Sequence, residues 1–237
     1  MIEEPRFPPL IIGHEVTGQA DPFVTACGLA ARGCDGGTLV HNLQADRLRA
    51  AMVFAPEVPL RQAMAMMPLC GVGFQNALGA LAPPEVAVHL QWDGTIKVNG
   101  ARCGGFQVAA AGDDPEDEPE WLVIGLELAL LPTGRGDGDA GFTPDITTLS
   151  EEGCADLEAG LLLEAWARHT LNWINRWADG GRSALHEAWI GLVQEVGDSV
   201  QIGERTGTFV GVDEDFGMLL RDKSTTHLIP LTRLLAG

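Results

Sequence analysis

Gln91-Trp92-Asp93-Gly94-Thr95-Ile96-Lys97-Val98-Asn99-Gly100-Ala101-Arg102-Cys103-Gly104-Gly105-Phe106 is the stretch on which the fold turns. Asn99-Gly100 is the residue pair that a tight type I′ hairpin favours, because both central positions of that turn need positive φ. The pair predicts strands at 95–98 and 105–110, folded back on each other. Ahead of them, Val86 to Trp92 reads as another strand. Beyond them, Trp121 to Leu131 is a strongly apolar strand.

Working outward, Asp21 to Arg32 reads as a helix, with Asp21 as N-cap, Pro22 at the first helical position and Gly33 as a stop. Residues 38–40 and 50–54 suit short buried strands. Pro59 to Leu81 carries apolar residues at helical spacing and runs to Pro83-Pro84, which predicts one long core helix. Its methionines, Met64, Met66 and Met67, suit core packing. Asp156 to Trp177 is plainly helical, and a shorter helix follows over 185–192. The acidic stretch from Asp113 to Glu120 reads as a solvated hairpin loop. Thr133 to Pro144 reads as a Gly- and Asp-rich linker, since it lacks both the EF-hand ligand pattern and the Walker Gly-Lys-Ser/Thr.

The last stretch changes character. Apolar runs at 200–202, 207–212, 218–220 and 227–231 are split by Gly/Asp turns, the layout of a small SH3-like barrel. The chain as a whole reads as α+β: a mixed sheet packed with helices over residues 1–190, then the barrel over 191–237.

Composition narrows the chemistry. Thirty-three acidic against fifteen basic residues give a formal net charge of −18, which repels a polyphosphate backbone and argues against nucleic-acid binding. No apolar run approaches the roughly 18–20 residues of a membrane span. The opening Met1-Ile2-Glu3-Glu4-Pro5-Arg6 lacks the basic-then-apolar layout of a signal peptide, so a cytoplasmic address is expected. Five cysteines without a CxxC pair predict reduced, mostly buried thiols. Cys103 falls under the same reading rather than that of a nucleophile. Six scattered histidines show no metal-ligand spacing, so no metal site is expected. Lysine occurs only at Lys97 and Lys223.

The order of these pieces resembles the biotin/lipoate–protein ligase superfamily. There, a strand carries Lys-Trp-Pro-Asn-Asp, two apolar residues and a glycine turn; a second lysine and a glycine then lead into the next strand. Trp92, Asn99-Gly100 and Gly105 fall in that register. Leu48 to Pro59 is similar to the strand that closes on Arg-Pro-x-x-Pro before the family's long helix. Thr147-Thr148-Leu149 resembles the Thr-Ser-Leu ahead of its next helix. Gly207 to Leu220 resembles the Gly-x-Ala-x-Gly-Ile-Asp-x-x-Gly-Ala-Leu-Leu of its C-terminal barrel. The likeness runs from about residue 20 onward and includes no winged helix.

What the resemblance implies is a ligand-binding set of Gln91, Trp92, Arg102, Gly104, Gly105 and Arg49, with Arg102 and Lys97 as catalytic candidates. It also implies ATP with magnesium, biotin or lipoate, and a biotinyl or lipoyl carrier domain whose lysine receives the acyl group through an acyl-adenylate. The departures lie where that chemistry belongs. Neutral Gln91 stands for the family lysine that places phosphates and the acyl carboxylate, and Asp93-Gly94-Thr95 replaces Pro-Asn-Asp. The Gly-Arg-Gly-Arg loop that closes over ligand falls between Gly36 and Arg49, where the chain is shortened and rebuilt. Glu127 stands in a usual Gly-Ile-Gly-Ile pattern, and Ala129 replaces an asparagine. Arg102, at the second lysine's place, can hold an anion by a planar fork, and Arg47 or Arg49 can bring charge from the rebuilt loop. Two functions follow: a divergent acyl ligase, or a binding protein that keeps the fold and a small acyl pocket without adenylation. A third reading gives the barrel and acidic loops an interaction role.

Overall fold

The computed structural model describes residues 4–132, 145–223 and 225–236; the linker expected at Thr133 to Pro144 lies outside them. In chain order the elements are β1 (Ile12–Glu15), α1 (Pro22–Ala30), β2 (Thr38–Leu43), β3 (Arg47–Phe54), α2 (Leu60–Ala63), α3 (Met66–Leu81), β4 (Val88–Leu90), β5 (Thr95–Val98), β6 (Ala101–Ala110), β7 (Leu122–Ala129), α4 (Ala159–Ala178), α5 (Arg182–Ile190), β8 (Ser199–Ile202), β9 (Arg205–Val212), β10 (Met218–Arg221) and β11 (Thr226–Ile229). A π-turn over Ser150–Cys154 precedes α4, and a 3₁₀ turn over Leu231–Leu234 follows β11.

The first seven strands form one mixed sheet in the order β1-β2-β3-β7-β6-β5-β4, parallel only between β1 and β2. The Asn99-Gly100 turn joins β5 to β6 with φ of 50° and 94°, the two positive values that a type I′ turn needs. β6 starts at Ala101, ahead of the expected Gly105. β4 is shorter than expected because the chain turns at its end: Gln91 N–H donates to Thr95 O at 2.9 Å and Gly94 N–H to Gln91 O at 3.1 Å. Trp92 therefore sits in a turn and not on a strand.

Helices α3, α4 and α5 cover one face of the sheet, while α1 packs on the other against β2, β3 and β7. Asp21 caps α1 by accepting from Phe23 N at 2.7 Å and Val24 N at 3.2 Å. The expected single helix from Pro59 is broken between Ala63 and Met66. Pro68 is the cause: it has no N–H for the Met64 carbonyl, and Met67 N takes that carbonyl instead at 3.0 Å in a tighter three-residue turn. The most apolar stretch of Leu60–Leu81, of mean hydropathy 1.2, is 72% buried, as a core helix should be.

The last four strands form a separate antiparallel sheet, order β11-β10-β9-β8. Its outer strands β8 and β11 share no ladder among the described residues, so the expected barrel is an open sheet. Its apolar face is instead covered by the first domain: Phe209, Phe216, Met218, Leu220, Ile229 and Leu231 belong to the same core as the sheet and its helices. The expected strand over 227–231 stops at Ile229, since Pro230 cannot continue the ladder.

Trp92 fastens the two parts. Its side chain is 1% exposed, and its Nε1–H donates to Phe216 O at 2.8 Å. Trp189 meets the Phe216 ring edge-on at 5.7 Å, and Asp215 accepts from Arg61 Nη1 at 2.9 Å. Replacing Trp92 by Phe leaves the Phe216 carbonyl buried without a donor. The variant is expected to lose about 1–3 kcal/mol in urea unfolding, and an unchanged midpoint would show that this bond does not hold the domains together.

Candidate functional site

Alternation along the strands sorts their side chains into two sets. Leu48, Ala50 and Met52 of β3, Leu126 and Leu128 of β7, and Ile96 and Val98 of β5 face the helices and enter the large core. The residues between them are forced to the other face. Arg49, Glu127, Gly105 and Thr95 are consecutive register partners across β3, β7, β6 and β5, so they form one row on that face. Lys97 and Arg102, opposite each other in β5 and β6, lie on the same face farther along, with His89 of β4 beside Lys97.

The seven residues predicted from sequence divide accordingly. Arg49, Lys97, Arg102 and Gly105 share the face away from α3, α4 and α5, part of which α1 covers. Arg102 is exposed, whereas Arg49 is half-buried with its Nε buried and without an acceptor. Adjacent strands lie roughly 4.8 Å apart, so Arg49 and Gly105, two strands away, are roughly 10 Å from each other. Trp92 belongs to the core on the helix side. Gly104 also faces that side, where an added side-chain carbon would strike the Glu127 carbonyl. Gln91 stands at the end of β4, where its amide donates to the Glu195 carboxylate.

The place of the expected arginine loop is filled by a two-residue hairpin. Gln44 N–H bonds Arg47 O at 2.9 Å and Arg47 N–H bonds Gln44 O at 3.4 Å, leaving only Ala45-Asp46 at the tip. The tip is pinned to the sheet by Leu130 N–H on Asp46 O at 2.8 Å. Arg47 turns back along the sheet and pairs with Glu127 at 2.8 Å.

Three site residues escaped the sequence reading. Asn42, 2% exposed, donates to Gly18 O and Ala20 O at 3.1 and 3.0 Å, and Gln44 to Gly18 O at 2.8 Å. Together they hold the loop that leads into α1 against the rim of the open face. Polar residues interrupting the run from Leu39 to Leu48 were the available signal. Glu195 had none. It reaches the site because the linker after α5 pairs with the edge of β4, Leu90 N–H to Leu192 O at 2.9 Å and Gln194 N–H to Leu90 O at 3.1 Å. Glu195 takes a left-handed φ of 79° to turn toward Gln91. Burial, and then the nearby Asp93, raise its carboxyl above the usual glutamate value.

Residues 7–191 match the Biotin/lipoate A/B protein ligase family, and residues 196–237 a Domain of unknown function (DUF4444). The chain belongs to the biotin/lipoate ligase family. It is 57% identical to a biotin protein ligase-like protein of unknown function from a Silicibacter species, with a TM-score of 0.93 over 98% of this chain and 100% of that one. It is 25% identical over 215 residues to the biotin–[acetyl-CoA-carboxylase] ligase of Paracoccus denitrificans, covering 88% of this chain and 87% of the relative. Biotin protein ligase from Aquifex aeolicus shares the fold at a TM-score of 0.71 and 15% identity, over 93% and 96% of the two chains.

Near this face the chain departs from the residues that the family resemblance implies for a nucleoside triphosphate with its magnesium. Glu195 and Asp93 flank Gln91 where the family resemblance calls for a cation, and the closed Ala45-Asp46 tip offers no arginine.

Glu195 carries a pH signature. Its folded pKa lies above the ordinary 4.5, so its favourable contribution to stability is present below that value and lost as pH rises through the folded pKa. Glu195→Gln keeps an acceptor for Gln91 and removes the charge. It should melt higher than wild type at pH 7, with the gap closing near pH 4; equal melting at pH 7 would contradict the burial of this charge.

Proposed function

We propose that this chain is a non-adenylating binding protein of the ligase family, which holds a carboxylate-bearing acyl ligand such as biotin, lipoate or octanoate on the open face of its sheet. The observation that carries this reading is the Arg49 guanidinium, its Nε buried and without an acceptor, in the row of Glu127, Gly105 and Thr95 beside a hairpin too short to enclose a nucleotide. A buried donor left unbonded costs free energy that a ligand carboxylate recovers. Gly105 adds no side chain to the floor of that row. Lys97 and Arg102 stand at its far end, within reach of a second polar group.

Charge separates binding from chemistry. Adenylation brings two anions together, and a lysine about 4 Å from a phosphate supplies around 4 kcal/mol at an effective dielectric of 20. Here that place is taken by the Gln91–Glu195 pair. A second reading, acyl transfer to a carrier-domain lysine, is favoured by the adjacent Lys97 and Arg102, and the same face would meet the carrier.

Calorimetry with biotin, lipoate and octanoate, with and without ATP and magnesium, distinguishes the two. Binding of one acid, indifferent to ATP and without pyrophosphate release or carrier modification, is the expected result. Arg49→Ala should weaken it by roughly 10- to 100-fold, the worth of one charged hydrogen bond of about 1.5–3 kcal/mol. Pyrophosphate release would establish the transfer reading, and no binding by any of the acids would remove both.

A further inference from the structure

On the opposite side of the molecule, a cavity of about 510 Å³ opens between the N-terminal strap, the end of β3 and the helix α4. Its walls include Phe54, Val58, Met66, Leu171, Ile174 and Trp177. Apolar surface left unfilled in such a cleft is in contact with water, and covering it with an apolar guest is favourable. This volume falls within the range of small-molecule pockets, about 300–1,000 Å³. Arg49, Glu127, Gly105, Thr95, Lys97 and Arg102 are not among its lining residues.

Three features define the guest. Leu171, Ile174 and Trp177 recur at every third residue of α4 and are each only half-buried, giving an apolar rail roughly 9 Å long at 1.5 Å per residue. That length suits an extended chain rather than a broad ring system. At the mouth, Leu10 has a φ of 76° and is 78% exposed. Such a backbone is costly for a bulky residue, and here it leaves an apolar side chain exposed at the border of an apolar space. The strap that holds Leu10 is anchored on both sides: Arg6 N–H bonds Glu164 Oε1 at 2.8 Å, the Phe7 ring lies 5.7 Å from His41, and Ile12 N–H bonds Gly37 O at 3.0 Å. The third feature is charge. Glu57, exposed at the rim, is the only ionisable group among the lining residues, on a chain of net charge −18. An anionic head is disfavoured at such a mouth.

We infer that this cavity is a second ligand site, for a medium-length aliphatic chain with an amine or hydroxyl head, and that Leu10 packs over the bound chain. It is independent of the acyl site on the sheet, because β3 and its neighbours separate the two.

Calorimetry with octylamine, octanol and octanoate tests it, in an Arg49→Ala background that weakens binding at the sheet face. The amine and the alcohol should bind, and the acid at least tenfold more weakly than the amine. Ile174→Trp, which fills the cavity from a half-buried position, should weaken amine and alcohol binding at least tenfold while the melting temperature holds or rises. Leu171→Phe gives the same reading if that variant does not fold. Glu57→Gln should narrow the gap between amine and acid. Absence of binding by amine and alcohol, undiminished binding in the filled variants, or an acid that binds as tightly as the amine would each overturn the assignment.

Discussion

The two-residue period of the central strands is the constraint from which the rest of this molecule follows. β3, β7, β6 and β5 each commit every second side chain to the helices, and the register leaves no freedom about where the others go. A one-residue slip of β3 would bury Arg49 and expose Leu48, Ala50 and Met52, at a cost no surface interaction could recover. Arg49, Glu127, Gly105 and Thr95 thus owe their common row to the apolar residues between them. A β-bulge between Ile96 and Lys97 adjusts the end of that row, bringing Lys97 and Arg102 opposite each other.

The C-terminal sheet is part of the same argument. Four short strands with one apolar face make a poor independent domain, and an open edge-to-edge sheet of that size cannot enclose its own core. Here it does not need to. Phe209, Phe216 and Met218 enter the first domain's core, and Trp92 and Asp215 supply directed bonds across the junction. Docking in turn fixes the linker along β4, which brings Glu195 to Gln91. The acidic character at that end of the open face is thus a consequence of how the two sheets are joined.

The fold was legible where a residue type has one structural use. Asn99-Gly100 gave the hairpin because few other pairs accept two positive φ values, and Asp21-Pro22 gave the start of α1 because one caps and the other needs no donor. It was less legible where two signals competed. Apolar spacing across residues 59–81 outweighed Pro68, which nonetheless broke the helix at Met64 and Ala65. The barrel pattern of the last strands reads the same whether the sheet closes on itself or on another domain. Within the site, strand alternation alone would set Arg102 and Gly105, three residues apart on β6, on opposite faces; the irregularity between Ile96 and Lys97 that joins them is not legible in the sequence. Trp92 could not be told apart from a ligand-facing tryptophan, since its partner lies 124 residues away in Phe216. Glu195 was invisible for the same reason: local sequence does not record where a linker docks.

On the proposed reading, what separates this chain from an adenylating ligase is a change in sign more than a loss of shape. Removing one preorganised charge stabiliser typically costs about 10² to 10³ in rate, and here the arginine loop and the leading cation are both replaced. Burial raises the proton affinity of Glu195, whose carboxyl stands beside Gln91, where the family resemblance places a cation. A carboxylic acid lying along the Arg49 row, as proposed, would avoid that end of the face and meet the Arg49 Nε–H, which has no acceptor. On that reading the same surface disfavours a nucleotide and favours an acyl acid, because a fold by itself does not carry the chemistry.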